Sequence, residues 1–77
     1  MTKKSAATRA LGDAIRATRS EQGYTQESFA RHAGMDRSYF GAIERGEFSI
    51  TIDMLTTIAA GLGLPAWELL RRAAGDA

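Results

Sequence analysis

Arg37 and Arg45 bracket a stretch in which Ser38, Gly41 and Ala42 are small. A guanidinium presents five N–H donors in a fixed fork, so an arginine on the first turn of an exposed helix can bond O6 and N7 of one guanine together. Small neighbours let such a helix sit deep in the major groove of a duplex. Other chemistry is poorly provided for. The chain has no cysteine, so it offers no thiol nucleophile, disulfide or thiolate metal site. His32 is the only histidine; one imidazole does not make a metal site, and a solvated position on a helix is expected for it. Gly61-Leu62-Gly63 fails as a phosphate loop, because Ala66 stands where a third glycine would fall and no strand precedes it. The carboxylates are scattered, several of them near helix starts where capping accounts for them, and there is no nucleophile elbow. An enzyme is therefore the least expected class, and no cofactor, metal or small-molecule ligand is expected.

The elements that must position the two arginines can be read from helical spacing. The first segment runs from about Ala6 to Gln22, with Ala7, Leu11, Ala14 and Ile15 on one stripe and Thr18 extending it by a methyl group. Gly12 inside it costs about 1 kcal/mol relative to alanine, and close helix packing is one reason to keep it. Thr25 caps a short second segment, Gln26 to His32, whose buried stripe is Phe29, Ala30 and Ala33. Asp36 caps the third, Arg37 to Arg45, in which Phe40 and Ile43 face inward. A fourth runs from about Thr51 to Leu62 with Ile52, Leu55, Ile58, Ala59 and Leu62 on its apolar face. A fifth starts at Pro65, a residue suited to a first helical position, and carries Trp67, Leu69 and Leu70. Residues 73–77 are expected to fray, and the β-branched run Ile50-Thr51-Ile52 is too isolated to count as a strand. With 77 residues the chain is read as one domain, 1–77, ordered over about 6–72.

Only Ala33, Gly34 and Met35 join the second and third segments. Two short helices around a tight glycine-containing turn form a helix-turn-helix, here about 25–45. Ala30 allows a close crossing, Gly34 admits positive φ, Met35 plugs the corner and Ile43 anchors the second helix. Arg37, Ser38, Gly41, Ala42 and Arg45 are left facing outward.

Thr25-Gln26-Glu27-Ser28-Phe29-Ala30, Gly34-Met35-Asp36-Arg37-Ser38-Tyr39-Phe40 and Ile43-Glu44-Arg45-Gly46 together resemble the phage-repressor, or xenobiotic-response-element (XRE), helix-turn-helix family. Ser49 to Leu55, Ile58-Ala59 and Leu62-Gly63-Leu64 are similar to that family's fourth helix, so the resemblance spans roughly residues 8–71. Asp36-Arg37-Ser38-Tyr39 and Ile43-Glu44-Arg45-Gly46 look most like restriction–modification controller proteins, short homodimeric transcription switches without a second domain. The resemblance implies an all-α, five-helix, lambda-repressor-like DNA-binding domain of bacterial, phage or plasmid origin. It also implies roles: Gln26 on a DNA phosphate, Arg37, Ser38 and Ala42 on bases, Tyr39 and Arg45 on backbone or flanking bases, and Arg19 paired with Glu44 between the first and third helices. Two positions depart from the pattern. Phe40 stands where isoleucine or valine is usual, which requires a repacked core, and Gly41 and Ala42 replace polar residues, which shifts readout towards the front of the helix and DNA shape.

Net charge is only +1, but residues 1–45 carry +3 and residues 46–77 carry −2, so the basic part lies in the N-terminal half. Lys3 and Lys4 are read as a tail able to add non-specific phosphate contacts. Ile52, Met54, Leu64, Trp67 and Leu70 exceed what so small a core needs, and a homodimer seam on the fourth and fifth helices is expected. Trp67 alone serves equally as core, and Tyr39 equally as cover for the core edge. The expected function is a transcription regulator binding a palindromic operator in double-stranded DNA as a homodimer. Alternatives are an antitoxin-type DNA-binding protein with a toxin partner and a helical interaction module without DNA. No apolar run approaches the ~20 residues of a membrane span, and Met1 to Ser5 lacks the apolar stretch of a secretory signal, so a cytoplasmic protein is expected.

Overall fold

The computed structural model describes residues 5–47 and 49–75; Lys3 and Lys4 lie outside the described residues. Five helices follow one another: α1 Ala6–Glu21, α2 Gln26–Ala33, α3 Arg37–Glu44, α4 Ile52–Gly61 and α5 Ala66–Ala73. Among the described residues there is no strand, and Ile50-Thr51 leads directly into α4. No helix among them is long and apolar enough to cross a membrane.

Local chemistry sets four of the five helix starts. The hydroxyls of Ser5, Thr25 and Thr51 and the carboxylate of Asp36 each accept a backbone N–H three residues on. At Thr25 the bond is reciprocal, because Ser28 Oγ accepts the Thr25 N–H at 2.9 Å. Each such cap contributes about 1 kcal/mol. Pro65 departs from expectation: it is the extended residue before α5 rather than its first helical residue. Ala73, expected to fray, is the last residue of α5.

The core is built by Ile15, Phe29, Phe40, Ile58 and Leu69, all fully buried. Phe40 fills its position by packing on Phe29, with ring centroids 5.0 Å apart, while Tyr24 meets Phe29 edge-on at 5.3 Å. Around this cluster α1 packs on α3 and α5, α2 on α3 and α4, and α4 on α5. Gly12 has a physical reason here. A Cβ built on it would lie 2.4 Å from the Glu44 carbonyl oxygen and 2.8 Å from that of Ile43, so α1 and α3 touch backbone to backbone.

Two expectations about burial are corrected and one open alternative is narrowed. Ala7 and Ile52 were placed on apolar stripes, but Ala7 is exposed and Ile52 is 72% exposed, because each lies at the first turn of its helix, where little packs over it. Trp67 is 64% exposed and is not core. Thr18 offers more than a methyl group: it is buried, its hydroxyl donates to the Ala14 carbonyl at 2.8 Å, and it accepts from Arg72 Nη1 at 3.1 Å. His32, expected to be merely solvated, stacks on Tyr24 at 5.1 Å and places Nε2 3.1 Å from the Gly61 carbonyl.

Arg72 belongs to a charged clasp between α5 and α1. Glu68 receives Arg71 Nη2 at 2.6 Å and Arg72 Nε at 3.1 Å, and these two guanidinium groups lower its carboxyl from 4.5 to about 2. A carboxyl depressed in the folded state stabilises fully above its unfolded value, and that contribution is lost as pH falls through the folded one. Replacing Glu68 by glutamine is therefore expected to flatten the stability profile between about pH 4.5 and about 2. Urea midpoints measured across that window in both proteins check this, and parallel profiles would contradict it.

Candidate nucleic-acid interface

The turn between α2 and α3 is formed by main-chain bonds. Gly34 sits at φ 72° and ψ 32°, in the left-handed region that closes a helix. Its N–H reaches the Arg31 carbonyl at 3.2 Å, and the Met35 N–H reaches that of Ala30 at 2.8 Å. Met35 is half-buried against the core. Asp36 then accepts the Tyr39 N–H at 3.0 Å and starts α3 in a new direction.

One face of α3 is locked inward through Phe40, Gly41, Ile43 and Glu44. Arg37 and Ser38 are exposed at its first turn, Tyr39 is 39% exposed, Ala42 is half-buried, and Arg45 is exposed just after the last helical residue. Among the described residues the Arg37 side chain makes no hydrogen bond or ion pair, and the residue is exposed. Gly41 is the exception to the outward set: it is buried. A Cβ there would lie 3.2 Å from a guanidinium nitrogen of Arg45 and 3.3 Å from Gln26 Oε1, so those two side chains lie over it. Asp36 and Arg45 thus frame a surface whose middle is roofed by neighbours rather than open.

Behind this face lies a buried polar network. Arg19 grips Glu44 with two nitrogens, Nε to Oε2 at 2.7 Å and Nη2 to Oε1 at 3.1 Å, and gives Nη1 to the Tyr24 carbonyl at 2.8 Å. The Glu44 side chain is 1% exposed and that of Arg19 12%. Gln26 completes it by donating Nε2 to Glu44 Oε1 at 2.9 Å. Gln26, expected on a phosphate, here ties the start of α2 to the end of α3. Nothing local in the sequence signals this bond, because its partners are eighteen residues apart. No buried side-chain nitrogen or oxygen among the described residues lacks a partner.

The five residues expected at a dimer seam divide. Ile52, Trp67 and Leu70 are exposed, the last at 48%, whereas Met54 and Leu64 are half-buried and pack against the core. Ile52 and Leu70 also line an apolar groove of about 370 Å³ whose floor includes Leu11, Ile43, Ile50 and Leu55. Among the described residues no cluster of His, Asp or Glu is suited to holding a metal ion.

Residues 12–75 match the family model described as a helix-turn-helix domain. A hypothetical transcription factor of Neisseria meningitidis serogroup B is 39% identical over 56 residues, 73% of this chain and 53% of that protein, so the chain spans about half of its length. The control protein C.MunI of a Mycoplasma species is 37% identical over 60 residues, covering 77% of this chain and 81% of its own. Among solved structures, the restriction-modification controller protein C.Esp1396I, as a tetramer in complex with its natural 35-base-pair operator, superimposes with a TM-score of 0.79. It is 32% identical, and the match covers 90% of this chain and 95% of that one.

Proposed function

The chain belongs to the helix-turn-helix family of XRE-type regulators, and from that premise we propose that it regulates transcription by binding a palindromic operator as a homodimer. One observation carries the reading: α3 is fixed to the core along one face and presents Arg37 and Ser38, unobstructed, at the N-terminal end of the other. That end of a recognition helix is the part that meets base edges. Arg37 takes a guanine, Ser38 either base of a neighbouring pair, and Ala42 a thymine methyl. Arg45, Tyr39 and Gln26 lie along the rim and take phosphates or flanking bases. The operator held by C.Esp1396I supports this mode of binding.

A homodimer is supported by the apolar face that Ile52, Trp67, Leu70 and the adjoining groove present. Aromatic side chains are enriched in the buried centre of such interfaces. Two α3 helices related by a two-fold axis would then meet half-sites about 34–36 Å apart, one turn of DNA.

The test is selection of bound duplexes from a random pool at about 0.15 M salt, where non-specific binding is suppressed. A palindrome with one-turn spacing is the expected result; no enrichment would sink the reading. Arg37→Ala is expected to lose about 1–3 kcal/mol of discrimination at a single guanine in the selected site, with other positions unchanged. Uniform weakening at every position would instead make Arg37 a phosphate contact.

A further inference from the structure

Arg45 does not face solvent alone. Its Nε donates to Glu47 Oε2 at 2.5 Å, and the two side chains remain 57% and 42% exposed. The acid is held there by the backbone: the Glu47 N–H bonds the Ala42 carbonyl at 3.1 Å and closes the end of α3. Glu47 also raises the guanidinium further above its ordinary value. On the other side, Arg45 lies over Gly41 beside Gln26, which gives one of its two amide N–H groups to Glu44. The rim of the candidate interface therefore carries a fixed negative charge beside one of its few cations.

We infer that Glu47 limits DNA affinity by holding Arg45 in an internal ion pair at the edge of the recognition surface. This rests on the DNA reading above. A phosphate approaching Arg45 meets one of two situations. Either the guanidinium leaves Glu47, and the pair is lost, or the pair stays and brings a carboxylate towards a polyanion. Both oppose binding, and neither depends on base sequence. Glu47 thus lowers affinity for all duplexes alike, so that occupancy depends on what Arg37 and Ser38 add at the operator. The +3 balance of residues 1–45 stops short of this acid, which is why the charge distribution did not reveal it.

Glu47→Gln keeps the shape of the side chain and removes its charge. Binding of the full chain to the selected operator and to a scrambled duplex is measured across a salt series. We expect affinity for both duplexes to rise about three- to tenfold at 0.15 M salt. The slope of log K against log salt should steepen by about 0.9, the increment for one more neutralised phosphate. In an Arg45→Ala background most of that gain should disappear, which separates release of Arg45 from a general change in charge. Unchanged or weakened binding in Glu47→Gln, with the unaltered protein still binding, overturns this inference and leaves the DNA reading intact. A full gain without Arg45 overturns it as well. No binding by the unaltered protein to any duplex overturns both.

Discussion

Glu44→Ala is expected to remove about 3–5 kcal/mol of folding stability, the usual cost of deleting one partner of a buried ion pair. Coulomb attraction alone is not the reason. The Arg19 side chain is only 12% exposed, and two of its nitrogens would lose their acceptor, as would Gln26 Nε2. A domain of this size has roughly 4–12 kcal/mol in total, so the variant should sit near the edge of folding. The urea midpoint measures this. Glu44→Gln separates charge from shape: it keeps an acceptor oxygen and should lie between the two. A midpoint in Glu44→Ala within the range of ordinary surface substitutions would show that Arg19 finds water instead, and that the network contributes little.

Gly12→Val is expected to destabilise by roughly 3 kcal/mol, at the upper end of the cost of overpacking. Most overpacked sites relax by moving a side chain. Here the obstacle is the main chain of α3, with the Glu44 carbonyl oxygen 2.4 Å from where a Cβ would stand. Relaxation must move α3 relative to α1. Operator affinity should consequently fall more than the loss of folded protein explains, because the displaced element carries Arg37 and Ser38. Thermal unfolding and DNA titration of the same preparation check both parts. A fully folded variant with unaltered binding would show that α1 moves away without disturbing α3.

How much of this was legible beforehand follows from the range over which each signal acts. Thr25, Asp36 and Gly34 were readable because a cap or a left-handed turn is decided within three or four residues. Phe29, Ile43 and Ile58 were readable because helical spacing marks a buried face. Spacing says less at a helix end and where a distant element decides. Ile52 fits the stripe of α4 by spacing, yet lies at its first turn and stays 72% exposed. At Gly12 close helix packing is the reading the structure bears out, but spacing alone does not name α3 as the partner. Thr18 needs Arg72 from the far end of the chain before its hydroxyl has a role. On α3, the exposure of Arg37 and Ser38 was readable as what packing leaves over. The covering of Gly41 by Gln26 and Arg45 was not, because long polar side chains can lie across a small residue without disturbing any periodic pattern.

The backbone contact at Gly12 and the network around Glu44 hold α3 from behind, and the residues at its front take no part in that anchorage. Among the described residues, the side chains of Arg37 and Ser38 cap nothing, fill nothing and brace nothing. Substitutions at such positions usually change stability by no more than about 0.5 kcal/mol. Descendants of this chain can therefore exchange them without first acquiring a compensating change in the core. The architecture separates what is inherited rigidly, the posture of α3, from what is open to drift, the lettering on its outer edge.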